Sequence, residues 1–114
     1  MVEQNIKSTD VFFVSDRTGI TAEALGSSLL SQFESVEFNK IHLSFIDTLD
    51  KAIDAVEQVN RASSKAGSPI LVFSTQINHE FRVMMSKSDC VFFDFFDTFI
   101  SKMERSLELK SSHT

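Results

Sequence analysis

Several residue types are scarce or missing in this 114-residue chain, and each absence excludes a class of protein. A single cysteine, Cys90, cannot form an internal disulfide or a cysteine-rich zinc site, and its apolar neighbours predict a small buried thiol. The chain has no tryptophan and no tyrosine, so its 12 phenylalanines predict an aromatic core with few polar donors. No apolar run approaches the roughly 20 residues that span a membrane, and the first ten residues lack the apolar stretch of a signal peptide. We therefore expect a cytoplasmic protein with no membrane partner.

Basic residues are also in short supply. The chain has 11 Lys and Arg against 16 Asp and Glu, a formal net charge of −5. Nucleic-acid binding needs a basic surface, so we expect no nucleic-acid partner. The three histidines, His42, His79 and His113, do not have the spacing of metal ligands, so we expect no metal site.

Two catalytic signatures are missing as well. The sequence contains no G-x-S-x-G nucleophile elbow. It also has no G-x-x-x-x-G-K-[ST] phosphate loop, because none of its three glycines, Gly19, Gly26 and Gly67, fits that pattern. A nucleotide-dependent kinase built on such a loop is therefore not present in these residues, and the sequence by itself assigns no catalytic residue.

Hydrophobic periodicity predicts four strands that alternate with four helices. Continuous apolar runs at 11–14 and 70–73 predict buried strands. The run at 91–93 predicts the last strand of the chain. Alternation at Ile41, Leu43 and Phe45 predicts an edge strand with one wet face. Each strand is followed by a helical stripe, namely Ala22, Leu25, Gly26, Leu29 and Phe33, then Leu49, Ala52, Ile53, Val56 and Val59, then Ile77, Phe81, Met84 and Met85, and finally Phe96, Phe99, Ile100, Met103 and Leu107.

This alternation favours a single α/β domain over residues 1–114, in which helices cover a four-stranded parallel sheet in a three-layer, Rossmann-like arrangement. Right-handed crossovers and an edge position for the alternating strand make 2-1-3-4 the simplest strand order. Thr48 or Asp47 is expected to cap the second helix, and Gly67 is expected to end it, with Pro69 as a stop. Gly26, which costs a helix about 1 kcal/mol, indicates close packing on the sheet.

The junction after the first strand carries the most suggestive polar residues. In such sheets, ligands bind beyond the carboxyl ends of the strands, here between the first and third strands. Ser15, Thr18 and Thr21 offer hydroxyl groups, Arg17 offers a planar cation, and Gly19 lets a ligand approach the backbone at the start of a helix. These residues predict a site for an anion such as phosphate.

Other interpretations of this junction stay open. Thr18 can be an ordinary N-cap, with Glu23 complementing the helix dipole. Asp16 repels an anion unless a metal or Arg17 intervenes, and it can instead serve as a general base or a magnesium ligand.

The loop after the third strand lies at the same edge of the predicted sheet. Ser74 and Thr75 are candidate ligands there, and Arg82 is a candidate second phosphate ligand. The alternative is that Asn78 caps the third helix and Arg82 is a surface residue.

The stretch VFFVSDRTGITAEALGSSLLSQF resembles the start of the phosphoenolpyruvate synthetase and pyruvate, phosphate dikinase regulatory proteins. That family typically has a strand, then S-D-x-T-x-I-T-A-E, then a helix with L-G that ends near S-Q-F; it often has Gly where this chain has Arg17. The segment PILVFSTQINHEFR, with Glu80 and Arg82, and the final SSHT are similar to family segments too. The matching positions of the opening motif are Ser15, Asp16, Thr18, Ile20, Thr21, Ala22, Glu23, Leu25, Gly26, Ser31, Gln32 and Phe33.

The resemblance implies a bifunctional activity for the complete family protein. Such proteins use ADP to phosphorylate a threonine of the synthetase or dikinase, and they remove that phosphate with inorganic phosphate, releasing pyrophosphate. Family chains are more than twice as long as this one, and their nucleotide-binding phosphate loop lies in the later half. This chain then corresponds to the N-terminal domain, which we expect to be inactive by itself and to hold no cofactor, ADP and phosphate belonging to the full-length protein.

Three functions remain open on the residues alone. The chain can be the regulatory-enzyme domain, with the synthetase or dikinase as its partner. It can be a non-catalytic interaction module, or a stand-alone Rossmann-like binder of small anions. A homodimer is compatible with each.

Overall fold

A computed structural model of the chain describes residues 8–112. Strands and helices alternate along the whole of this range. The strands are β1 (Ser8–Val14), β2 (Glu37–Leu43), β3 (Leu71–Ser74) and β4 (Val91–Asp94). The α-helices are α1 (Ile20–Leu30), α2 (Leu49–Lys65), α3 (His79–Ser86) and α4 (Ser101–Leu107), and a π-helical segment (Phe96–Ile100) runs directly into α4.

The strands of residues 8–112 form one parallel sheet in the order β2-β1-β3-β4. This confirms the predicted fold class and strand order. The register pairs Val14 with Leu43 on one side and with Ser74 on the other, and Ser74 with Asp94. The carboxyl ends of all these strands therefore lie in one row, and the loops that follow them share one rim of the sheet.

Helices cover both faces of the sheet. Phe12, Val14 and Val72 pack against α2 and α3, in a cluster that includes Val59 and Met85. The alternate residues of the same strands point to the other face. They are Val11, Phe13 and Phe73, which pack with Ala22 and Leu30 of α1 and with Phe95. This alternation is the period of two that a strand imposes, and it gives the expected three layers.

The second face is built from stacked aromatic rings. Phe73 lies 5.9 Å from Phe13 and 5.0 Å from Phe93, measured between ring centroids, and both pairs are stacked. Phe95 lies 5.6 Å from Phe73. Gly26 is the point at which α1 meets this layer, as its position in the helix predicted.

The two ends of α2 compare differently with prediction. Thr48 is the N-cap of α2, and its hydroxyl accepts a hydrogen bond from the Lys51 N–H. The cap at the other end of α2 is Ala66 in an extended conformation, so the prediction of Gly67 was wrong. The chain leaves α2 as an extended segment toward Pro69 and β3, and it needs no left-handed glycine there.

Several predicted buried stripes are buried only in part. On α1, Ala22 and Gly26 are buried, but Leu25 and Leu29 are exposed, as is Phe33 beyond the helix end. On α2, Ala52 and Val59 are buried while Leu49 and Ile53 are exposed. The short side chains of each stripe face the sheet because the helices approach it closely, and the longer apolar side chains lie at the flanks.

Two more predictions need correction. Phe45 does not extend the alternating strand, because β2 ends at Leu43 and Phe45 is exposed in a left-handed conformation with φ 58°. Cys90 is partly rather than fully buried. In the last helical stripe, Phe99, Met103 and Leu107 are exposed.

Candidate functional site

A cavity of about 480 Å³ opens at the carboxyl rim of the sheet. One wall is the β1–α1 loop, from Ser15 through Thr21, and Thr75 contributes from the β3–α3 loop. The opposite wall is apolar and comes from the π-helical segment, with Phe96 and Phe99 among its residues. The cavity thus lies at the switch point between β1 and β3, where the fold places ligands.

The β1–α1 loop enters α1 through Gly19. Gly19 has φ 82° and ψ 10° and is the N-cap of the helix, whose first backbone bond runs from the Glu23 N–H to the Gly19 carbonyl. Only glycine adopts this left-handed conformation without strain. The interpretation of Thr18 as N-cap was therefore wrong, and Thr18 Oγ1 lies 3.5 Å from the Ile20 nitrogen. The Thr18 hydroxyl thereby accepts the first N–H of α1 at the limit of hydrogen-bond distance, while the N-cap, Gly19, has no side chain to contribute.

Hydrogen bonds from the neighbouring β2–α2 loop hold this loop in place. The Ser15 N–H donates to the Leu43 carbonyl at 3.1 Å, and the Ser15 carbonyl accepts from the Ile46 N–H at 2.9 Å. The Phe45 N–H donates to the Arg17 carbonyl at 2.8 Å, which accounts for the left-handed turn at Phe45. These hydrogen bonds anchor the loop to the end of β2 and to the β2–α2 loop.

A turn of the same kind is found at the end of β1 and at the end of β3. The Ser15 hydroxyl accepts the Arg17 N–H at 3.0 Å, and the Ser74 hydroxyl accepts the Gln76 N–H at 3.1 Å. Both serines are buried. Ser15 lines the cavity, whereas Ser74 is fully buried and does not.

Gln76 is a buried polar residue that the sequence patterns did not single out. Its side chain is 1% exposed, donates from Nε2 to the Ile46 carbonyl at 3.0 Å, and accepts the Asn78 N–H at its Oε1 at 3.1 Å. Gln76 thereby joins the loops that follow β2 and β3. A polar residue directly after a buried strand was the available signal, but the same signal marks many ordinary loops.

Arg82 does not line the cavity, although it packs on Phe96, which does. Its guanidinium carbon sits 4.5 Å above the Phe96 ring, and its Nη1 lies 3.8 Å from Oδ2 of Asp94, with both side chains largely buried. Among the described residues, Nε and Nη1 of Arg82 have no hydrogen-bond partner. Asn78 does cap α3, as the alternative predicted, but Arg82 is a packed residue and not a surface one.

The charged side chains at the cavity are few. Asp16 and Arg17 line it, Asp16 partly buried and Arg17 exposed. Glu23 faces away toward β2, where its Oε1 lies 3.2 Å from Nε2 of His42. In the part of the chain that the structure describes, no three His, Cys, Asp or Glu side chains come together as metal ligands would. His113 lies outside the described residues.

The structure brings most of the predicted candidates to one place. Seven of them line the cavity, and Ser74 and Arg82 do not. The seven are Ser15, Asp16, Arg17, Thr18, Gly19, Thr21 and Thr75. A helix start whose N-cap is a glycine, three hydroxyls beside it and a neighbouring cation are groups that can hold a phosphate.

Taken together, the parallel 2-1-3-4 sheet and its rim cavity define an α/β protein of the class that binds ligands at a topological switch point. Residues 11–114 match the family model described as kinase/pyrophosphorylase. The chain belongs to that family.

Three relatives in which about half of the aligned residues are identical carry one name. The chain is 52% identical over 103 residues to a protein of Alkalilimnicola ehrlichii, 51% over 104 residues to one of Bordetella pertussis, and 48% over 103 residues to one of Hahella chejuensis. Each is named a phosphoenolpyruvate synthase regulatory protein. The matches cover 90–91% of this chain but 37–38% of the relatives, so the chain spans little more than a third of their length.

The described residues contain no candidate for a membrane-spanning helix. None of the helices between residues 8 and 112 combines the length and the apolar character that crossing a bilayer requires.

Proposed function

We propose that this chain is the N-terminal domain of a bifunctional regulator of phosphoenolpyruvate synthase. The complete protein transfers a phosphoryl group from ADP to a threonine of the synthase and thereby inactivates it. It reverses the modification with inorganic phosphate. The family membership and the names of the relatives support the regulatory role, and the rim cavity supports a role for this domain in holding phosphate.

Both reactions exchange a phosphoryl group between two oxygen atoms. In the first, the threonine oxygen bonds to the terminal phosphorus of ADP, the bond to the bridging oxygen breaks, and AMP leaves while the hydroxyl proton passes to a base. In the second, an oxygen of inorganic phosphate attacks the phosphothreonine phosphorus, and threonine and pyrophosphate are released. Both need a site that holds a free or protein-bound phosphate in a fixed orientation.

The observation that carries the assignment of this site is the shape of the β1–α1 loop. Gly19 turns the chain so that the first N–H groups of α1 start at the cavity wall, and Thr18 and Thr21 lie beside them. The helix dipole favours negative charge at that end. Arg17 adds a cation that can form charge-assisted hydrogen bonds, and it offsets the neighbouring carboxylate of Asp16.

Catalysis needs residues beyond this chain, since the sequence has no nucleotide-binding phosphate loop. We therefore expect the 114-residue chain to bind phosphate but to leave the synthase unmodified, and not to bind ADP tightly. The test incubates the synthase with ADP and either this chain or the full-length Bordetella pertussis relative. Phosphothreonine, detected by mass spectrometry, is expected with the relative and not with the chain. Phosphorylation by the isolated chain would show that this assignment of the catalytic machinery is wrong.

A further inference from the structure

Two rows of exposed apolar side chains flank the cavity. On α1 and the turn after it, Leu25, Leu29 and Phe33 follow at intervals of four residues, and they are 45%, 53% and 60% exposed. On the π-helical segment and α4, Phe99, Met103 and Leu107 follow at the same interval and are 53%, 54% and 61% exposed. We call these rows the α1 stripe and the α4 stripe.

An apolar stripe at helical spacing is the pattern of a helix face that is buried in the folded protein. Large contiguous apolar patches on a soluble protein mark surfaces that pack against another protein. α4 is the clearest example of an uncovered helix face, because none of its residues is buried within the described chain. Its residues Lys102 and Arg105 are exposed, and Glu104 accepts the Ser111 N–H at 2.8 Å.

The two stripes converge at the cavity. Leu25, at the head of the α1 stripe, and Phe99, at the head of the α4 stripe, both line it. So do Ser111 and Ser112 of the segment after α4, which turns back at Glu108 through a left-handed residue. A body that covers both stripes therefore also forms a wall of the cavity.

We propose that the α1 and α4 stripes are the seat of the part of the family chain that lies beyond the matched third. The relatives supply the argument for this occupant, because 62–63% of their length is not matched by this chain (100% minus 37–38%). Ser111 and Ser112 line the cavity together with Leu25 and Phe99, the heads of the two stripes. The rim cavity is then a site shared between two parts of one protein, which brings the phosphate held by Ser15–Thr21 against the second part.

Site-directed labelling of cysteine tests this proposal. In a Cys90→Ser background, Leu29→Cys and Met103→Cys place a thiol on each stripe, and Ile53→Cys places the control thiol on α2, which covers the opposite face of the sheet. Each variant is made in the 114-residue chain and in a chimera that adds the unmatched remainder of the Alkalilimnicola ehrlichii relative. Maleimide labelling is followed peptide by peptide by mass spectrometry.

The proposal expects labelling at Leu29→Cys and Met103→Cys to slow by about tenfold or more in the chimera, because a buried thiol reacts only when the interface opens. Labelling at Ile53→Cys keeps its rate. Equal rates in both proteins at the stripe positions overturn the proposal. If the chimera does not fold, hydroxyl-radical footprinting of the intact relative decides: its first helix is expected to be protected on this face, and oxidation there at the rate of surface residues overturns the proposal.

Two further measurements complete the test. One asks whether a second copy of the chain covers the stripes, and the other tests the phosphate site independently. A dimer of the 114-residue chain, seen by light scattering and abolished by Leu29→Glu or Met103→Glu but not by Ile53→Glu, assigns the stripes to a second copy and overturns the proposal. Phosphate binding by the isolated chain is measured separately. Absence of phosphate binding would contradict the proposed phosphate site and would leave the labelling result unchanged.

Discussion

Gly26 of α1 lies directly over the ring of Phe13 in β1, so close that a Cβ on Gly26 would be 2.6 Å from Cε1 of Phe13. The same Cβ would lie 3.0 Å from Cδ2 of Phe73. Both rings are buried and stacked on each other, so neither has free space to move into. This contact sets the distance between α1 and the sheet, and α1 begins at the rim cavity.

Replacing Gly26 by alanine is expected to lower the free energy of unfolding by about 1–3 kcal/mol, the usual cost of forcing a methyl group into a packed core. The roughly 1 kcal/mol that alanine gains over glycine in helix propensity does not offset the collision. Urea denaturation measures the change. Gly67→Ala is the matched control, because a Cβ there meets nothing within 4 Å and the change is expected to be neutral or slightly stabilising. Equal stability of the Gly26→Ala variant and the parent would contradict this packing.

Gln76 connects two rim loops, and its amide nitrogen is essential to that connection. In Gln76→Glu, a carboxylate oxygen replaces the donor that faces the Ile46 carbonyl. We expect a loss of about 1–3 kcal/mol, because a buried acceptor then faces a buried acceptor. Burial also raises the pKa of the new carboxyl, so the folded variant binds its proton more tightly than the unfolded one, and its stability falls as pH rises above about 4.3. Gln32→Glu, at an exposed position, is the control, and a similar loss there would remove Gln76 from this role.

Arg82 and Asp94 are expected to be coupled. Asp94 faces the Arg82 guanidinium, and its Oδ1 also accepts the Asp97 N–H at 3.1 Å, at the start of the π-helical segment. Removing one partner leaves polar atoms of the other largely buried and unsatisfied, which we expect to cost about 1–3 kcal/mol in Asp94→Ala and in Arg82→Met. The double variant is expected to lose less than the sum. Strict additivity in a double-mutant cycle of urea denaturations would mean that the two groups do not interact.

Because of Cys90, the folded chain is expected to lose stability at alkaline pH. Burial raises the pKa of its thiol above the ordinary value, the neighbouring Asp89 raises it further, and a hydrogen bond with Ser88 opposes them. The folded chain therefore holds the thiol proton more tightly than the unfolded chain. The resulting stability is complete below the unfolded pKa, roughly 8.5, and is lost as pH rises through the folded pKa. Thermal unfolding of the parent and of Cys90→Ser from pH 7 to 10 checks this, and identical pH profiles would contradict it.

The fold could be predicted from sequence because its signals are local and repeated. Buried runs at β1 and β3, alternation in β2 and a helical pattern after each strand are enough to fix a parallel order when crossovers are right-handed. The gathering of Ser15–Thr21 and Thr75 at one rim followed from that order. Each of these inferences used periodicity, which survives without knowledge of tertiary contacts.

The predictions that the structure corrects concern features that depend on contacts between distant segments. Gly19 replaces Thr18 as the N-cap because the β2–α2 loop holds the Arg17 and Thr18 carbonyls in a particular turn. Arg82 is not the surface residue of the alternative interpretation, because it packs against Asp94 of β4 and Phe96 of the π-helical segment. Leu25 and Leu29 were assigned to the core because periodicity identifies an apolar face but not the body that covers it.

Phosphate binding at the rim cavity is tested most directly by a titration of the ¹⁵N-labelled chain with inorganic phosphate, followed through its backbone amide signals. Sodium chloride at equal ionic strength serves as the reference. We expect saturable shifts concentrated at residues 17–22 and at Thr75, with affinity about tenfold weaker in Arg17→Ala, the loss of one charge-assisted hydrogen bond, and unchanged in Arg61→Ala on α2. Shifts that are absent from residues 15–22, or that sodium chloride reproduces, would contradict the proposal that this loop holds phosphate.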